Sequence, residues 1–364
     1  MKDICVVTIV DSIASTSMPV NEFVIYRSRH NYGLRQILIS CSLDIPDEVE
    51  IPSDVTVYMV GNDRSKMRHV LKDVKNDCSE NHENLVVHLH AQKSAMLFYA
   101  AAIGLGIRNK TVFTIHSTYS SRDIKYRLTS CLCSLLSKYA NCVSHAAYQE
   151  YSPIIKRLKG KRMLTIQNGV DYERIQDATE NLPAHTDSFN IHKMACVGRM
   201  IPIKNQQFLV KLMKHLPDSE LVLIGQEDDN IKKLIKEVGV ENRVTMTGLF
   251  PRDEVFRILN GCGIYVSASL VEGMPVSVLE AMSVGLIPVI SDIAPHKEVA
   301  RSCLLFNSLP LIENDWIQTI QTYQQLNEGE LRRLSLQLKN SVRSNFSLEK
   351  MHEQYNEIYK LLSY

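Results

Sequence analysis

Two glutamates, Glu272 and Glu280, flank the turn Gly273-Met274-Pro275 and the start of an apolar helix running through Val276-Ser277-Val278-Leu279-Glu280-Ala281-Met282. Proline is preset for a first helical position and lacks the N–H that would go unpaired there, so the spacing predicts a helix start at this turn. Free backbone N–H groups ahead of Val276 and the positive end of the helix dipole then favour an anion such as a phosphate. At the α-helical rise Glu280 lies about 7.5 Å beyond Pro275, a reach that suits the hydroxyls of a ribose whose diphosphate caps the helix. Glu272, before the turn, would face the group on the other side of the phosphates. The plain alternative is a solvated helix start that carries acids near its positive end.

A second segment adds cations. Met194-Ala195-Cys196-Val197-Gly198-Arg199-Met200-Ile201-Pro202-Ile203-Lys204-Asn205 reads as a buried strand ending at Gly198, a loop with Arg199 and Lys204, and a helix from about Asn205. The carboxyl end of a strand is where open α/β sheets bind ligands. Arg as a planar fork and Lys as a point charge suit a diphosphate there.

These segments resemble retaining glycosyltransferases of family 4, also called glycosyl transferases group 1, which have the GT-B fold. The resemblance rests on Gly198-Arg199 through Lys204, on Ile166-Gln167-Asn168-Gly169-Val170-Asp171, and on Glu272-Gly273-Met274-Pro275 through Glu280-Ala281-Met282. Leu221-Val222-Leu223-Ile224-Gly225, Val244-Thr245-Met246-Thr247-Gly248 and Gly285-Leu286-Ile287-Pro288-Val289-Ile290 follow in the family's order. The first half resembles the family more loosely, through Thr114-Ile115-His116 and Ala140-Asn141-Cys142-Val143.

Elements must position these residues. Apolar runs bounded by turn residues predict strands at 3–10, 35–41, 54–60, 84–90, 110–115, 141–144 and 163–166, then at 192–197, 220–224, 243–247, 263–267 and 287–290. Strands alternating with helices argue for parallel sheets of βαβ units. Asn168-Gly169-Val170-Asp171 and the polar stretch from Asp177 to Asn190 suit a boundary near 170, giving domains 1–170 and 171–345. A last helix over 346–364 has an N-cap serine, Ser347, and an apolar stripe at Met351, Tyr355, Ile358, Tyr359 and Leu362 that must pack on something. The resemblance places it back on the first domain.

With 364 residues, 45% of them hydrophobic, the chain can bury two cores, and no window approaches a spanning helix of about 18 apolar residues. The amino end runs from Lys2 and Asp3 into Asp11 and reads as a first strand, not a signal peptide. Nine cysteines, scattered without a CxxC pair, look like reduced core residues of a cytoplasmic protein. The net charge is +1, yet residues 1–170 hold 21 Lys/Arg against 15 Asp/Glu while 171–364 hold 20 against 25. The basic excess concentrates in Lys156-Arg157-Leu158-Lys159-Gly160-Lys161-Arg162, which fits either an anionic membrane surface or a solvated helix end.

Several residues invite other readings. His88 and His90 share a strand face without an evident third metal ligand. His116 follows a strand at a carboxyl edge, where a structural histidine is the alternative to a site residue. Asp228-Asp229 is not an Asp-x-Asp metal clamp and reads as a solvated turn. Ser15-Thr16-Ser17-Met18-Pro19 has no glycine where many relatives carry a glycine pair. Strand one is followed by Asp11-Ser12-Ile13-Ala14-Ser15, with no Gly-x-Gly-x-x-Gly loop, which argues against a nicotinamide dehydrogenase.

The resemblance implies two Rossmann-like domains facing a central cleft, the second binding a nucleotide-diphospho-sugar and the first the acceptor. It assigns His116, Arg199, Lys204 and Glu272 to catalysis, and Gly198, Arg199, Lys204, Gly273, Met274, Pro275 and Glu280 to the donor. No metal and no further cofactor are expected, since fixed cations can neutralise the leaving diphosphate. The expected acceptor is a lipid-linked saccharide of bacterial surface polysaccharide, met at the inner face of the plasma membrane, with no nucleic-acid partner. The rival readings are a GT-B sugar-nucleotide epimerase and a non-catalytic GT-B partner subunit.

Overall fold

The computed structural model describes residues 3–14, 19–47, 49–119, 123–180 and 190–363. The chain divides into two compact units, Met1–Gln167 with Met351–Tyr364, and Asn168–Lys350.

The first unit is built on seven parallel strands in the order β3-β2-β1-β4-β5-β6-β7. They are β1 (Ile4–Val10), β2 (Leu34–Ser40), β3 (Val55–Met59), β4 (Asn84–Leu89), β5 (Thr111–Ile115), β6 (Tyr139–Cys142) and β7 (Met163–Thr165). A parallel sheet is covered on both faces, which is why the central strands read as unbroken apolar runs. One face carries Cys5, Val7, Ile9, Ile37, Val87 and Phe113 into a large core. The other is more polar. There His88 Nδ1 is 2.7 Å from Tyr359 Oη and His88 Nε2 is 2.8 Å from Thr114 Oγ1, while Asn141 Nδ2 donates to Tyr355 Oη over 2.7 Å.

Tyr355 and Tyr359 belong to the helix Leu348–Ser363, whose start is capped where Lys350 N donates to Ser347 Oγ at 3.3 Å. Met351, Tyr355, Ile358, Tyr359 and Leu362 are all buried. Arg27 is buried with them and donates to His352 Nδ1 and Tyr359 Oη. Its segment follows a turn of π-helix, Pro19–Ile25. Residues 15–18 of the glycine-free stretch, and 181–189 of the polar stretch, lie outside the described residues.

The second unit holds β8 (Lys193–Val197), β9 (Glu220–Ile224), β10 (Val244–Met246), β11 (Ile264–Ser267) and β12 (Ile287–Ile290), all parallel, in the order β10-β9-β8-β11-β12. Met194, Cys196, Leu221, Leu223, Val266 and Trp316 form its core. The Asn168-Gly169-Val170-Asp171 segment is fastened to a distant stretch of backbone, where Val170 N donates to Phe346 O at 2.8 Å and Leu348 N to Val170 O at 3.1 Å. A Cβ on Gly169 would stand 2.4 Å from Ser347 O, so only glycine lets these two backbones meet.

Strand order reverses between β8 and β11, since β8 leads on to β9 at one side while β11 lies at the other. In such sheets the crevice outside the carboxyl ends of those two strands is the ligand position.

Candidate functional site

The two loops singled out in the sequence leave β8 and β11 at that reversal. After β8 the chain passes Gly198, Arg199 and a short 3-10 turn, Pro202–Lys204, before the helix Gln206–Leu212. After β11 it passes Ser269 to Pro275 before the helix Val276–Val284. Leu270 N donates to Ile203 O at 2.8 Å, which ties one loop to the other. Gln206 is buried and its amide donates to Arg199 O at 3.0 Å, holding the first loop's shape.

Close packing of backbone forms the floor. A Cβ on Gly225, at the end of β9, would lie 2.2 Å from Gly198 O. Gly225 N donates in turn to Gly248 O at 3.1 Å, so the ends of three strands are stitched together through glycines.

The charges are arranged differently from the expectation of separate jobs. Lys204 Nζ donates to Glu272 Oε1 over 2.5 Å, and Ser269 Oγ donates to the same oxygen over 2.8 Å. The two side chains retain 21% and 11% of their exposure, so the pair is only thinly solvated. Arg199, by contrast, is exposed, and among the described residues no carboxylate pairs with it.

Glu280 lies deeper than a solvated helix residue. It is 8% exposed, and Arg252 reaches its Oε1 through both Nε, at 3.0 Å, and Nη2. The predicted ribose-binding carboxylate is therefore already held by a guanidinium.

The helix start also differs in detail. Pro275 occupies the position before the first helical residue, with φ −82° and ψ 71°, and Val276 N donates to Met274 O at 2.9 Å. That is an inverse γ-turn. The Val276 amide, expected to face an anion, is turned back into the chain, and Met274 is buried. Asp228 likewise is no solvated turn residue. It caps the helix Asp229–Val238, accepting from Asn230 N at 3.0 Å and Ile231 N at 3.1 Å.

A histidine that sequence reasoning missed stands beside this pair. His296 is fully buried in the first turns of the helix Ala294–Cys303, after β12. Its Nδ1 lies 2.9 Å from Ser291 O, a carbonyl that can only accept, so the proton sits on Nδ1 and the lone pair on Nε2. That Nε2 is buried without a hydrogen-bond partner. Burial lowers the imidazole to about 4, Glu272 pulls it up and Lys204 pushes it down. The signal available in the sequence was its place after a strand's carboxyl end, as for His116.

His116 stands in the first unit at the end of β5, partly buried, its Nε2 3.1 Å from His90 Nδ1. Burial lowers it to about 4 and lowers His90 well below its ordinary value, so at neutral pH both rings are uncharged and one donates to the other. Among the described residues one group, Cys5, Cys78 and Glu83, has potential metal-ligand atoms close together. Arg35 occupies it, its Nε donating to Glu83 at 2.9 and 2.8 Å and its Nη2 lying 3.3 Å from Cys78 Sγ.

Residues 188–303, which contain both loops, match the family described as Glycosyl transferases group 1. Sucrose-phosphate synthase from Thermosynechococcus elongatus superposes with a TM-score of 0.78 over 99% of each chain at 15% identity. The fold is GT-B. A second GT-B structure, Anabaena Alr3699/HepE in complex with UDP and glucose, superposes with a TM-score of 0.73 over 98% of this chain and 99% of that one, at 14% identity. Among curated proteins, the UDP-Gal:alpha-D-GlcNAc-diphosphoundecaprenol alpha-1,3-galactosyltransferase of Escherichia coli is 25% identical over 299 residues, 75% of this chain and 74% of the relative.

Proposed function

We propose that this GT-B chain transfers a sugar from a nucleotide-diphospho-sugar to a hydroxyl of a lipid-linked saccharide, retaining the anomeric configuration and using no metal ion. The observation that carries the reading is the thinly solvated Lys204–Glu272 pair beside the exposed Arg199, at the point where strand order reverses. As the bond from the sugar's anomeric carbon to the diphosphate breaks, negative charge grows on the leaving oxygen. Arg199 and Lys204 would take it up, and fixed dipoles and charges of this kind need no reorganisation as the charge develops. Glu272 is then left to accept hydrogen bonds from the sugar hydroxyls, and Glu280, oriented by Arg252, from the ribose. The acceptor oxygen forms the new bond on the face the diphosphate leaves, and its proton passes to the departing phosphate oxygen. His116 would meet the sugar as a neutral ring.

The Escherichia coli relative acts on a diphosphoundecaprenol-linked sugar by name, which supports a lipid-linked acceptor. Work at the inner face of a bacterial plasma membrane, in surface polysaccharide assembly, completes the reading.

The test begins with thermal shifts against nucleotide sugars, UDP-sugars first, because a ligand that binds only the folded state raises its melting temperature. The stabilising donor is then incubated with a lipid-linked saccharide in excess EDTA, and the anomeric configuration of the product is read by NMR. Transfer with retention in EDTA is expected. Product from the donor alone would indicate an epimerase, an inverted linkage would sink the retaining mechanism, and complete loss restored by Mg²⁺ would replace the fixed cations with a metal.

A further inference from the structure

The helix Ile124–Leu136 of the first unit is turned inside out. Asp123 caps it by accepting from Tyr126 N at 2.7 Å. The face it buries is small and polar: Ser130, Cys133 and Ser134, with both serine hydroxyls 2.8 Å from Tyr151 Oη. The face it presents to solvent carries Ile124, Leu128, Leu132 and Leu135, exposed by 76, 65, 42 and 44%. Steps of four, four and three residues align those side chains in one stripe along the helix. The helix Pro153–Lys159 extends it, burying Ile155 while Ile154 and Leu158 stand 71 and 66% exposed. Leu135 and Leu158 line the same cavity, so the two exposed faces are continuous. Scattered exposed leucines need no explanation, but a continuous stripe of this kind marks a surface that something apolar covers.

Charge decides what covers it. Residues 124–166 contain eight lysines and arginines and a single carboxylate, Glu150. Lys156 and Lys159 are spent on the fold. The first caps Tyr148 O and Gln149 O, and the second donates to Ser137 O and Lys138 O. Lys125, Arg157, Lys161 and Arg162 are exposed, and among the described residues no carboxylate pairs with them. Arg108, Lys138, Lys159 and Arg162 also line that cavity, of about 510 Å³, against the two leucines. A second copy of the chain would bring the same cations face to face and be repelled. An anionic bilayer offers both an apolar interior and a layer of phosphates.

We propose that the helices Ile124–Leu136 and Pro153–Lys159 form a docking surface for anionic membrane, the leucine stripe entering the acyl boundary while the cavity beside it takes a lipid headgroup phosphate. The stripe supplies burial and the cations supply attraction to the surface. The surface stands whether or not the chain transfers a sugar, since no residue of the donor site takes part.

The experiment uses the full chain and vesicles of phosphatidylcholine with and without phosphatidylglycerol. Co-sedimentation with the anionic vesicles is expected, with little on neutral ones and release as salt rises. Replacing Arg157, Lys161 and Arg162 together by glutamine should weaken binding by roughly 100-fold, at about a fivefold step per cation near the surface. Leu128→Trp reads insertion directly, because the chain's one native tryptophan, Trp316, is fully buried in the second unit. Its emission should shift to the blue on anionic vesicles only. Absence of binding at low salt would overturn the proposal, and so would binding without a blue shift, which would show surface adsorption alone. A dimer in sedimentation velocity that falls apart when Leu128 and Leu132 become glutamine would also overturn it, by showing that a second copy covers the stripe.

Discussion

Lys204 and Glu272 meet at 2.5 Å although 68 positions separate them, so the loops after β8 and β11 act as one charged unit. A single replacement leaves the other charge half-buried without its partner, which is costlier than losing both.

The pair should therefore behave non-additively. Lys204→Ala and Glu272→Ala should each lower kcat/KM by about 10²-fold or more. The double variant should be no worse than the poorer single, because contacting residues in one network share their effect. Arg199→Ala, lacking such a partner, should lose a similar factor and add to either. Steady-state kinetics of the parent, the three single variants and the three double variants decide it. Fully multiplicative losses for Lys204 and Glu272 would show that the observed pair is not functional.

Glu280 and Arg252 allow a binding role to be separated from a structural one. Arg252→Ala strands a buried carboxylate and should lower stability by roughly 1–3 kcal/mol, seen as a fall in melting temperature. Glu280→Gln keeps the shape and should weaken the nucleoside diphosphate by about tenfold, the scale of one charge-assisted hydrogen bond. Calorimetry with the free diphosphate supplies the comparison. Unchanged affinity in Glu280→Gln would leave the carboxylate as a brace for Arg252 only.

Strands were the most legible part of the chain. All twelve expected runs become strands, with ends within two residues, because a parallel sheet buried on both faces writes itself as a continuous apolar run. The two loops were legible as well, through Arg199 and Lys204 after a strand and through the Gly273-Met274-Pro275 turn between two glutamates. What stayed hidden was long-range. Nothing local in Glu280 announces Arg252, 28 positions earlier, and the place of His296 after a strand's carboxyl end does not say that its imidazole is buried beside Glu272. Pro275 misled by one position because local rules place proline inside the helix, whereas the γ-turn at Met274 to Val276 sets it just before. The leucines of the helix Ile124–Leu136 look like a core stripe, and only the burial of Ser130 and Ser134 shows that they face outward.

The glycine floor offers a test of construction. In Gly225→Ala the added methyl would lie 2.2 Å from Gly198 O, which is backbone and cannot swing away. The loop bearing Arg199 must shift, so donor affinity and turnover should both fall by at least about tenfold, a misplacement effect. Gly261→Ala is the control, since its nearest neighbour is an ordinary contact at 3.6 Å from Ile258 O. A Gly225→Ala enzyme with native kinetics would mean that the close approach of β8 and β9 does not position the site.

Buried histidines set a limit on the acid side. Burial lowers His116 and His296 to about 4 and lowers His88, His90 and His352 well below their ordinary value. Each binds a proton more readily when unfolded than when folded, so the stability it contributes is complete above about pH 6.5 and is lost as pH falls toward the folded value. For His116 and His296 a fall from 6.5 to about 4 corresponds to on the order of 3 kcal/mol apiece, before any local opening relieves it. His88 has both nitrogens engaged by Tyr359 and Thr114, and protonation would set a second donor against an existing one. Urea denaturation from pH 7.5 to 4.5 should therefore show the midpoint falling continuously below pH 6.5. His296→Asn, which keeps a side-chain amide at Ser291 and cannot gain a charge, should flatten that slope while leaving the unfolding free energy at pH 7.5 within about 2 kcal/mol of the parent, the cost of a conservative core change. An identical pH slope in parent and variant would mean that His296 is not held neutral by its surroundings.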